Sequence, residues 1–277
     1  MDLHTVADSL TVSSSRHSGW ANSLNLLGLL IGALSIALYS VRMISSEQSS
    51  WLSGFASILI CMGFFFGRRA QGRNVLARFM RRRVLLADAV GYEDALGDGL
   101  DVAADSLDDR RVWKASPTTT QEYYASNLDK GVQRLKQNLI ESAVWTEKLY
   151  RSAKIGLVRR TVFSLTCAFL MTMAIILTKT GAIDTAIFLQ LVTVSLVFAG
   201  SAQQIDSISK WSWASAETRR VRDGLLADTN ATHLNIRVWV AFSDYAVITS
   251  VAPAIPQRLF RRHRAQLSVV AKEVVSH

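Results

Sequence analysis

Aromatic and basic side chains occur together in two parts of the sequence. A nucleotide needs flat aromatic surfaces for its bases and arginine or lysine donors for its phosphates, and both parts supply them. The same residue types at helical spacing also occur in ordinary helix cores and along snorkelling surfaces, so that alternative stays open for each residue. The candidate ligand-binding residues are Tyr123, Tyr124, Arg134, Trp145 and Lys148 in the first part, and Trp239, Tyr245 and Arg261 in the second.

A second set of candidate residues lies in uncharged apolar runs, where small and polar side chains recur three or four residues apart. Small residues at this spacing let helix backbones approach closely, and amides inside a membrane usually face a neighbouring helix or water. The pattern predicts tight helix packing, or a polar path that forms when subunits rearrange, and both can hold in different states. The candidate pore or interface residues are Asn25, Gly28, Gly32, Ser35, Gln190, Thr193, Ser201 and Gln204, with a similar stripe at Ser50, Gly54, Ser57 and Cys61.

Four uncharged apolar runs, grouped in two hairpins, position this second set. The runs cover residues 18–41, 48–67, 161–178 and 185–205. At about 1.5 Å per residue, helices of this length cross a hydrocarbon core about 30 Å thick. A buried hairpin of a soluble protein would usually carry charged or amide side chains on one face. The predicted fold is therefore an all-α membrane protein with four transmembrane helices in two hairpins and a helical cytoplasmic region.

The sequence between and after the hairpins predicts further helices. Residues 68–90 continue the helical pattern of the second run, and a coiled-coil-like seam that starts at Leu128 leads into the third run. An acidic stretch at 84–109 has the pattern of an amphipathic helix with a solvated face, while β-branched residues leave 234–249 open to helix or strand. The predicted domains are a tail with the first hairpin (1–67), a cytoplasmic helical segment (68–160), the second hairpin (161–205) and a C-terminal cytoplasmic helical segment (206–277).

Positive charge lies on one side of the predicted membrane. Residues 68–83 contain seven arginines and no acid, whereas the connections 42–47 and 179–184 are formally neutral. The positive-inside rule predicts that both helical segments and both termini are cytoplasmic. Because the charge is concentrated next to the apolar runs, anionic lipid headgroups explain the net charge of +9 better than DNA or RNA does.

The sequence contains no motif that supports catalysis or metal binding. The five histidines are scattered, and no HExxH, P-loop or GxGxxG motif is present. Cys61 and Cys167 both lie in apolar runs and do not form a disulfide framework. We therefore predict no catalytic residue, no metal site and no cofactor. The N-terminus lacks the basic start and short apolar stretch of a signal peptide, so no cleavage is expected.

The layout resembles a known effector family. Two membrane hairpins flank a helical cytoplasmic segment, with EYYASNLDKGVQRLKQNLIESAVWTEKLYRSAK before the second hairpin and VAPAIP plus a basic helix near the C-terminus. This resembles the SMODS-associated four-transmembrane effectors of CBASS-type bacterial anti-phage systems. The resemblance implies that a nucleotidyltransferase encoded nearby makes a cyclic oligonucleotide after infection. It also implies that the effector binds this nucleotide and permeabilises the bacterial inner membrane.

The leading hypothesis is therefore a ligand-gated, membrane-disrupting effector. Four spans with sparse polar stripes cannot enclose a wide pore alone, so a homo-oligomer is expected. The alternatives are a constitutive small channel or transporter, and a membrane-anchored scaffold. A transporter would more typically show ionisable residues or broken helices within its spans, and the sequence shows neither. The expected partners are the lipid bilayer, a cyclic oligonucleotide second messenger and further copies of the chain, with no DNA or RNA.

Overall fold

Nearly all of the residues that the computed structural model describes are helical, and the described residues are 3–91, 126, 128–178, 185–227, 234–255, 259 and 262–263. These residues form no strand, and the first four helices in chain order are long and apolar enough to cross a membrane by length and composition. The prediction of an all-α protein with four membrane-length helices is confirmed. The helices are α1 (Leu3–Ser40), α2 (Ser46–Val90), α3 (Val132–Thr178), α4 (Thr185–Ala227) and α5 (Leu234–Val251).

A tight turn joins α1 to α2. Arg42 adopts a left-handed conformation with φ of 56°, and the Met43 amide donates to the Leu38 carbonyl at 2.9 Å. This is the Schellman arrangement that satisfies carbonyls at a helix end. A capping box then opens α2, since the Ser45 amide donates to Gln48 Oε1 at 3.0 Å and the Gln48 amide donates to Ser45 Oγ at 3.2 Å.

Helix α1 begins well before the first apolar run. The residues before residue 18 were predicted to form a tail, but the helix starts at Leu3. Val6, Ala7 and Leu10 pack against Ala77, Met80 and Val84 of α2. The helix extends this far because Val6 and Leu10 lie one turn apart and bury their side chains together.

The chain divides into two compact units, and α2, α3 and α4 each contribute residues to both of them. The predicted domain boundaries at residues 67, 160 and 205 fall inside these three uninterrupted helices. Unit 1 comprises Met1–Ser15, Ala70–Lys154 and Lys210–His277, and unit 2 comprises Arg16–Arg69 and Ile155–Ser209.

Unit 2 holds most of the apolar runs. Its core is a cluster of aliphatic side chains from α1 to α4, with Leu29, Ile60, Met171 and Val194 among its members. Many large hydrophobic side chains face outward instead, as is normal for helices whose solvent is lipid. The most exposed of them include Trp51, Phe55, Phe65, Val162, Phe169, Leu170, Ile176, Leu177 and Phe188.

Unit 1 has its own core around the first turns of α3. Leu135 and Leu139, two residues of the predicted seam, are fully buried and pack with Leu85 of α2, Leu225 of α4 and Val238 of α5. As predicted, α3 leads from this seam directly into the third apolar run. The interval 234–249 is helical rather than extended, because its apolar side chains repeat at helical spacing and pack on one side.

Several predictions fall outside the described residues. These are residues 92–109 of the acidic stretch predicted at 84–109, the connection at 179–184, and the basic helix after residue 256 apart from residues 259 and 262–263.

Candidate functional site

Arg134 is the candidate ligand-binding residue with the most developed surroundings. Its guanidinium donates to both carboxylate oxygens of Asp88 in α2, from Nη2 to Oδ1 at 2.9 Å and from Nε to Oδ2 at 3.1 Å. The remaining nitrogen, Nη1, donates to the Leu128 carbonyl at 3.0 Å. Asn138, one turn further along α3, adds a hydrogen bond from Nδ2 to Asp88 Oδ2 at 2.7 Å. The residues form a polar network that joins the end of α2 to the start of α3.

Because of this network, an anion that binds Arg134 has to compete with the Asp88 carboxylate. The side chains of Arg134 and Asp88 are 22% and 26% exposed, so solvent can reach the pair. A carboxylate and a phosphate present the same two-point geometry to a guanidinium. A phosphate therefore has to displace Asp88 to bind Arg134 in this way. Asn138 Oδ1 is buried and has no hydrogen-bond partner among the described residues, so a donor on an incoming group would find an acceptor there.

Tyr245 takes part in a second contact between helices. Its hydroxyl lies 2.7 Å from Thr146 Oγ1 and donates to the Ser142 carbonyl at 3.3 Å, which ties α5 to α3. Thr146 lies twelve residues beyond Arg134, or about 18 Å along a helix. Arg134 and Tyr245 are therefore not gathered in one pocket.

The other predicted ligand-binding residues differ in their surroundings. Trp239 is 42% exposed and meets Phe242 edge to face at 6.2 Å between ring centroids. Lys148 is exposed on α3 and Trp145 is half-buried there. Tyr123, Tyr124 and Arg261 lie outside the described residues.

Two arginines of α2 have a role that the sequence analysis missed. Arg78 donates from Nη2 to the Pro253 carbonyl at 2.6 Å and from Nη1 to the Thr249 and Ala252 carbonyls. Arg82 donates to the Ala246 carbonyl. The Thr249, Ala252 and Pro253 carbonyls belong to the last turn of α5 and the residues just after it, where unsatisfied acceptors and the negative end of the helix dipole favour a cation. Ala246 lies in the turn before.

Burial changes the acid–base properties around this cap. It lowers the pKa of Arg78 below its ordinary value, with a smaller contribution in the same direction from Arg81. It raises the pKa of Tyr150, which the neighbouring arginines oppose. The sequence analysis assigned the arginines of α2 to lipid headgroups, and no local motif distinguishes the two that cap α5.

The candidate pore or interface residues lie in unit 2, and several of them form a buried hydroxyl–amide cluster. Ser35 Oγ lies 3.1 Å from the hydroxyls of both Ser49 and Ser53 in α2. Gln190 of α4 donates from Nε2 to Ser49 Oγ at 2.8 Å. Ser35, Ser49 and Ser53 are completely buried, and Gln190 is 1% exposed. The cluster therefore connects three helices away from lipid.

Thr193 extends this cluster by one turn of α4. Its hydroxyl lies 3.0 Å from Ser57 Oγ and donates to the Ser53 carbonyl at 3.2 Å. A Cβ added at Gly32 would lie 2.7 Å from Thr193 Cγ2, so the glycine permits the close approach of α1 and α4. At Gly28 an added Cβ would lie 2.8 Å from the Ala56 carbonyl oxygen of α2. Both glycines are positions of close helix packing.

The remaining residues of this set make separate contacts. Asn25 packs against Gly63, and Gln204 Oε1 accepts a hydrogen bond from Thr161 Oγ1 at 2.9 Å. Ser201 donates to the Val197 carbonyl of its own helix at 2.9 Å.

The stripe predicted for the second apolar run is displaced in the structure. Ser57 joins the cluster, but Gly54 has no other atom within 4 Å of an added Cβ and Cys61 is exposed. The buried side of α2 is instead formed by Ser49 and Ser53, each one residue earlier than the predicted position. Serines occur at both 49 and 50, so polarity alone could not choose between the two stripes.

No protein-family model, no curated protein and no solved structure matches this chain.

Proposed function

We propose that the chain is a multi-pass membrane effector that is gated by a cyclic oligonucleotide and permeabilises the bacterial inner membrane as a homo-oligomer. The observation that carries this proposal is the continuity of α2, α3 and α4. Each of these helices contains a membrane-length apolar run and continues without interruption into unit 1. Because a continuous helix transmits rotation and translation along its length, ligand binding in unit 1 can change how the runs pack in unit 2.

The ligand class comes from the resemblance to the SMODS-associated four-transmembrane effectors, and Arg134 supplies matching chemistry. A phosphate that replaces Asp88 on Arg134 breaks the contact between α2 and α3 that the Asp88 carboxylate makes. A ligand shifts a conformational equilibrium only by its difference in affinity for the two states, and a tenfold bias needs about 1.4 kcal/mol. A hydrogen bond to a charged group contributes about 1.5–3 kcal/mol, so one such bond more to the phosphate than to the carboxylate supplies a bias of this size.

The orientation follows from charge. We place unit 1 and both termini in the cytoplasm, because the arginines at 68–83 follow the second apolar run without an intervening acid. In this orientation a cytoplasmic second messenger reaches Arg134 directly.

The decisive experiment is dye release from liposomes. The purified chain is reconstituted in phosphatidylethanolamine and phosphatidylglycerol vesicles, and a panel of cyclic di- and trinucleotides is added from outside. We expect at least one nucleotide to trigger release and to bind the detergent-solubilised protein. Arg134→Ala should lose both responses and keep its oligomer profile, whereas Arg151→Ala, which removes an exposed arginine of the same helix, should keep both.

Two results would overturn the proposal. Release that is independent of every nucleotide would establish a constitutive channel. A protein that inserts, binds none of the panel and releases no dye would be better explained as a membrane-anchored scaffold.

A further inference from the structure

Helix α5 has a second apolar side that the core of unit 1 does not use. Val238 of α5 is completely buried in that core. On another side of the helix, Ile236, Val240, Val247 and Val251 are between 46% and 69% exposed. Their spacing of four, seven and four residues puts them on one stripe of the helix. We call this stripe the outer face of α5.

An open groove of about 580 Å³ runs beside the outer face, between α4 and α5. Val221 and Leu225 of α4 are among the apolar side chains that line it. Its charged residues are Glu217 and Arg220 from α4, and Arg237 and Asp244 from α5.

The charge balance of the groove decides what kind of partner fits it. Two acids and two bases line it, so its formal charge is zero. A nucleotide or an anionic membrane surface would favour a net positive site. Aliphatic side chains flanked by both signs of charge are typical of a contact with another protein helix.

We infer that the outer face of α5 binds the outer face of α5 from a second copy of this chain, in antiparallel orientation. Arg237 and Asp244 are seven residues apart, so they lie on the same flank of the helix. A twofold axis near Val240 and Ala241 brings each Arg237 opposite Asp244 of the other copy. In an antiparallel pair, residues on the same flank of the two helices face each other across the seam. Each copy therefore contributes the same contacts, as an isologous interface requires.

The alternative parallel orientation lacks this complementarity. In a parallel pair, residues on the same flank lie on opposite sides of the seam, so Arg237 of one copy does not meet Asp244 of the other. Only the antiparallel pair brings these opposite charges together, so the charge pattern selects it. The inference rests on the homo-oligomer in the proposed function and identifies one of its contacts.

Charge exchange tests this interface without any ligand. The Arg237→Asp variant places four acids around the twofold axis, and Asp244→Arg places four bases there. We expect each single variant to raise the dimer dissociation constant at least about tenfold, measured by analytical ultracentrifugation in detergent. The double variant Arg237→Asp/Asp244→Arg restores both pairs with their signs exchanged, and it should recover the dimer.

A crosslink provides a second, independent measurement. In a Cys61→Ala/Cys167→Ala background, Val240→Cys lies next to the proposed axis and should form an intermolecular disulfide under mild oxidation. Arg151→Cys, at an exposed position of α3, should not.

The outcomes separate this inference from the proposed function. The interface would be overturned if both single variants sediment with the same mass as the unmodified chain. It would also be overturned if the double variant does not recover the dimer. Since none of these measurements uses a nucleotide, a failed dye-release experiment would leave their result intact.

Discussion

Arg134 of α3 holds the carboxylate of Asp88, the third residue from the end of α2, through two hydrogen bonds of 2.9 and 3.1 Å. The residue that sequence reasoning offered for ligand binding thus already has an anionic partner within the chain. This relationship makes Asp88 a competitor of any anionic ligand at Arg134. It also makes the two possible roles of Arg134, structural and ligand-binding, separable by experiment.

Asp88→Asn is the first test. The amide retains the size of the side chain but loses its charge, so Arg134 is released from its strongest partner. We expect ligand affinity to rise several-fold and the free energy of unfolding to fall by about 1–3 kcal/mol. Isothermal titration and thermal unfolding in detergent measure the two effects. Lower stability with unchanged affinity would assign Arg134 a structural role only.

Arg78→Met is the second test. The substitution keeps the length of the side chain but leaves the Thr249, Ala252 and Pro253 carbonyls without the guanidinium. We expect the free energy of unfolding to fall by about 1.5–3 kcal/mol, the value for hydrogen bonds to a charged group. Arg68→Met, at an exposed position of the same helix, should leave thermal unfolding unchanged. Equal melting of both variants would contradict the capping role of Arg78.

Close packing of α1 on α2 is tested at Gly28. A methyl group there meets the Ala56 backbone and Ile60, so Gly28→Ala has to push the helices apart. We expect a loss of about 1–3 kcal/mol, as for overpacked cores. Gly54→Ala is the matched control, because nothing lies within 4 Å of its added Cβ. Unfolding in a denaturing detergent compares them, and a Gly28→Ala variant as stable as the control would refute the close contact.

The apolar runs made most of the fold predictable. An uncharged run about as long as a membrane span has few alternatives to a helix, so the four long helices followed from length and composition. The continuation of α3 through Leu135 and Leu139 followed from helical spacing. The helical start of α1 did not, because Val6 and Leu10 become informative only when Met80 of α2 is known to lie against them.

The candidate sites were harder to predict because helical spacing shows which residues share a helix face, but not which helix packs against that face. Ser49 and Ser50 have the same chemistry, and only the position of Ser35 and Gln190 shows which of the two is buried. In the same way, seven arginines of α2 look alike in sequence, and only the end of α5 singles out Arg78. In both cases tertiary packing determines which residue makes the contact, and a single sequence does not show that packing.

Topology is tested by reporter fusions. A cytoplasmic reporter joined after His277, or inserted near Gly99, should be active, and a periplasmic reporter inserted in the 179–184 connection should be active there. The reason is the cluster of arginines in 68–83, opposed to the formally neutral connections. Exchange of the two reporters at each site is the internal control. The opposite reporter activity at any one of these sites would contradict the four-span topology.

The last prediction concerns the hydroxyl–amide cluster and opening. Gln190→Met keeps the side-chain volume but loses the hydrogen bond to Ser49, and Ser35→Ala removes the hydroxyl between Ser49 and Ser53 without overpacking the site. Hydrogen bonds between membrane helices contribute about 0.6 kcal/mol on average and up to about 2. Both variants should therefore weaken the described packing by a measurable but modest amount.

If opening separates these helices, the loss falls on the closed state alone. We then expect a raised basal dye release and a lower ligand concentration for half-maximal release, by up to about tenfold when the loss reaches 1.4 kcal/mol. Ser195→Ala, which removes an exposed hydroxyl of the same helix as Gln190, should change neither. Variants that melt earlier but keep the basal release and the dose response of the unmodified chain would show that the cluster packs α1, α2 and α4 together and takes no part in gating.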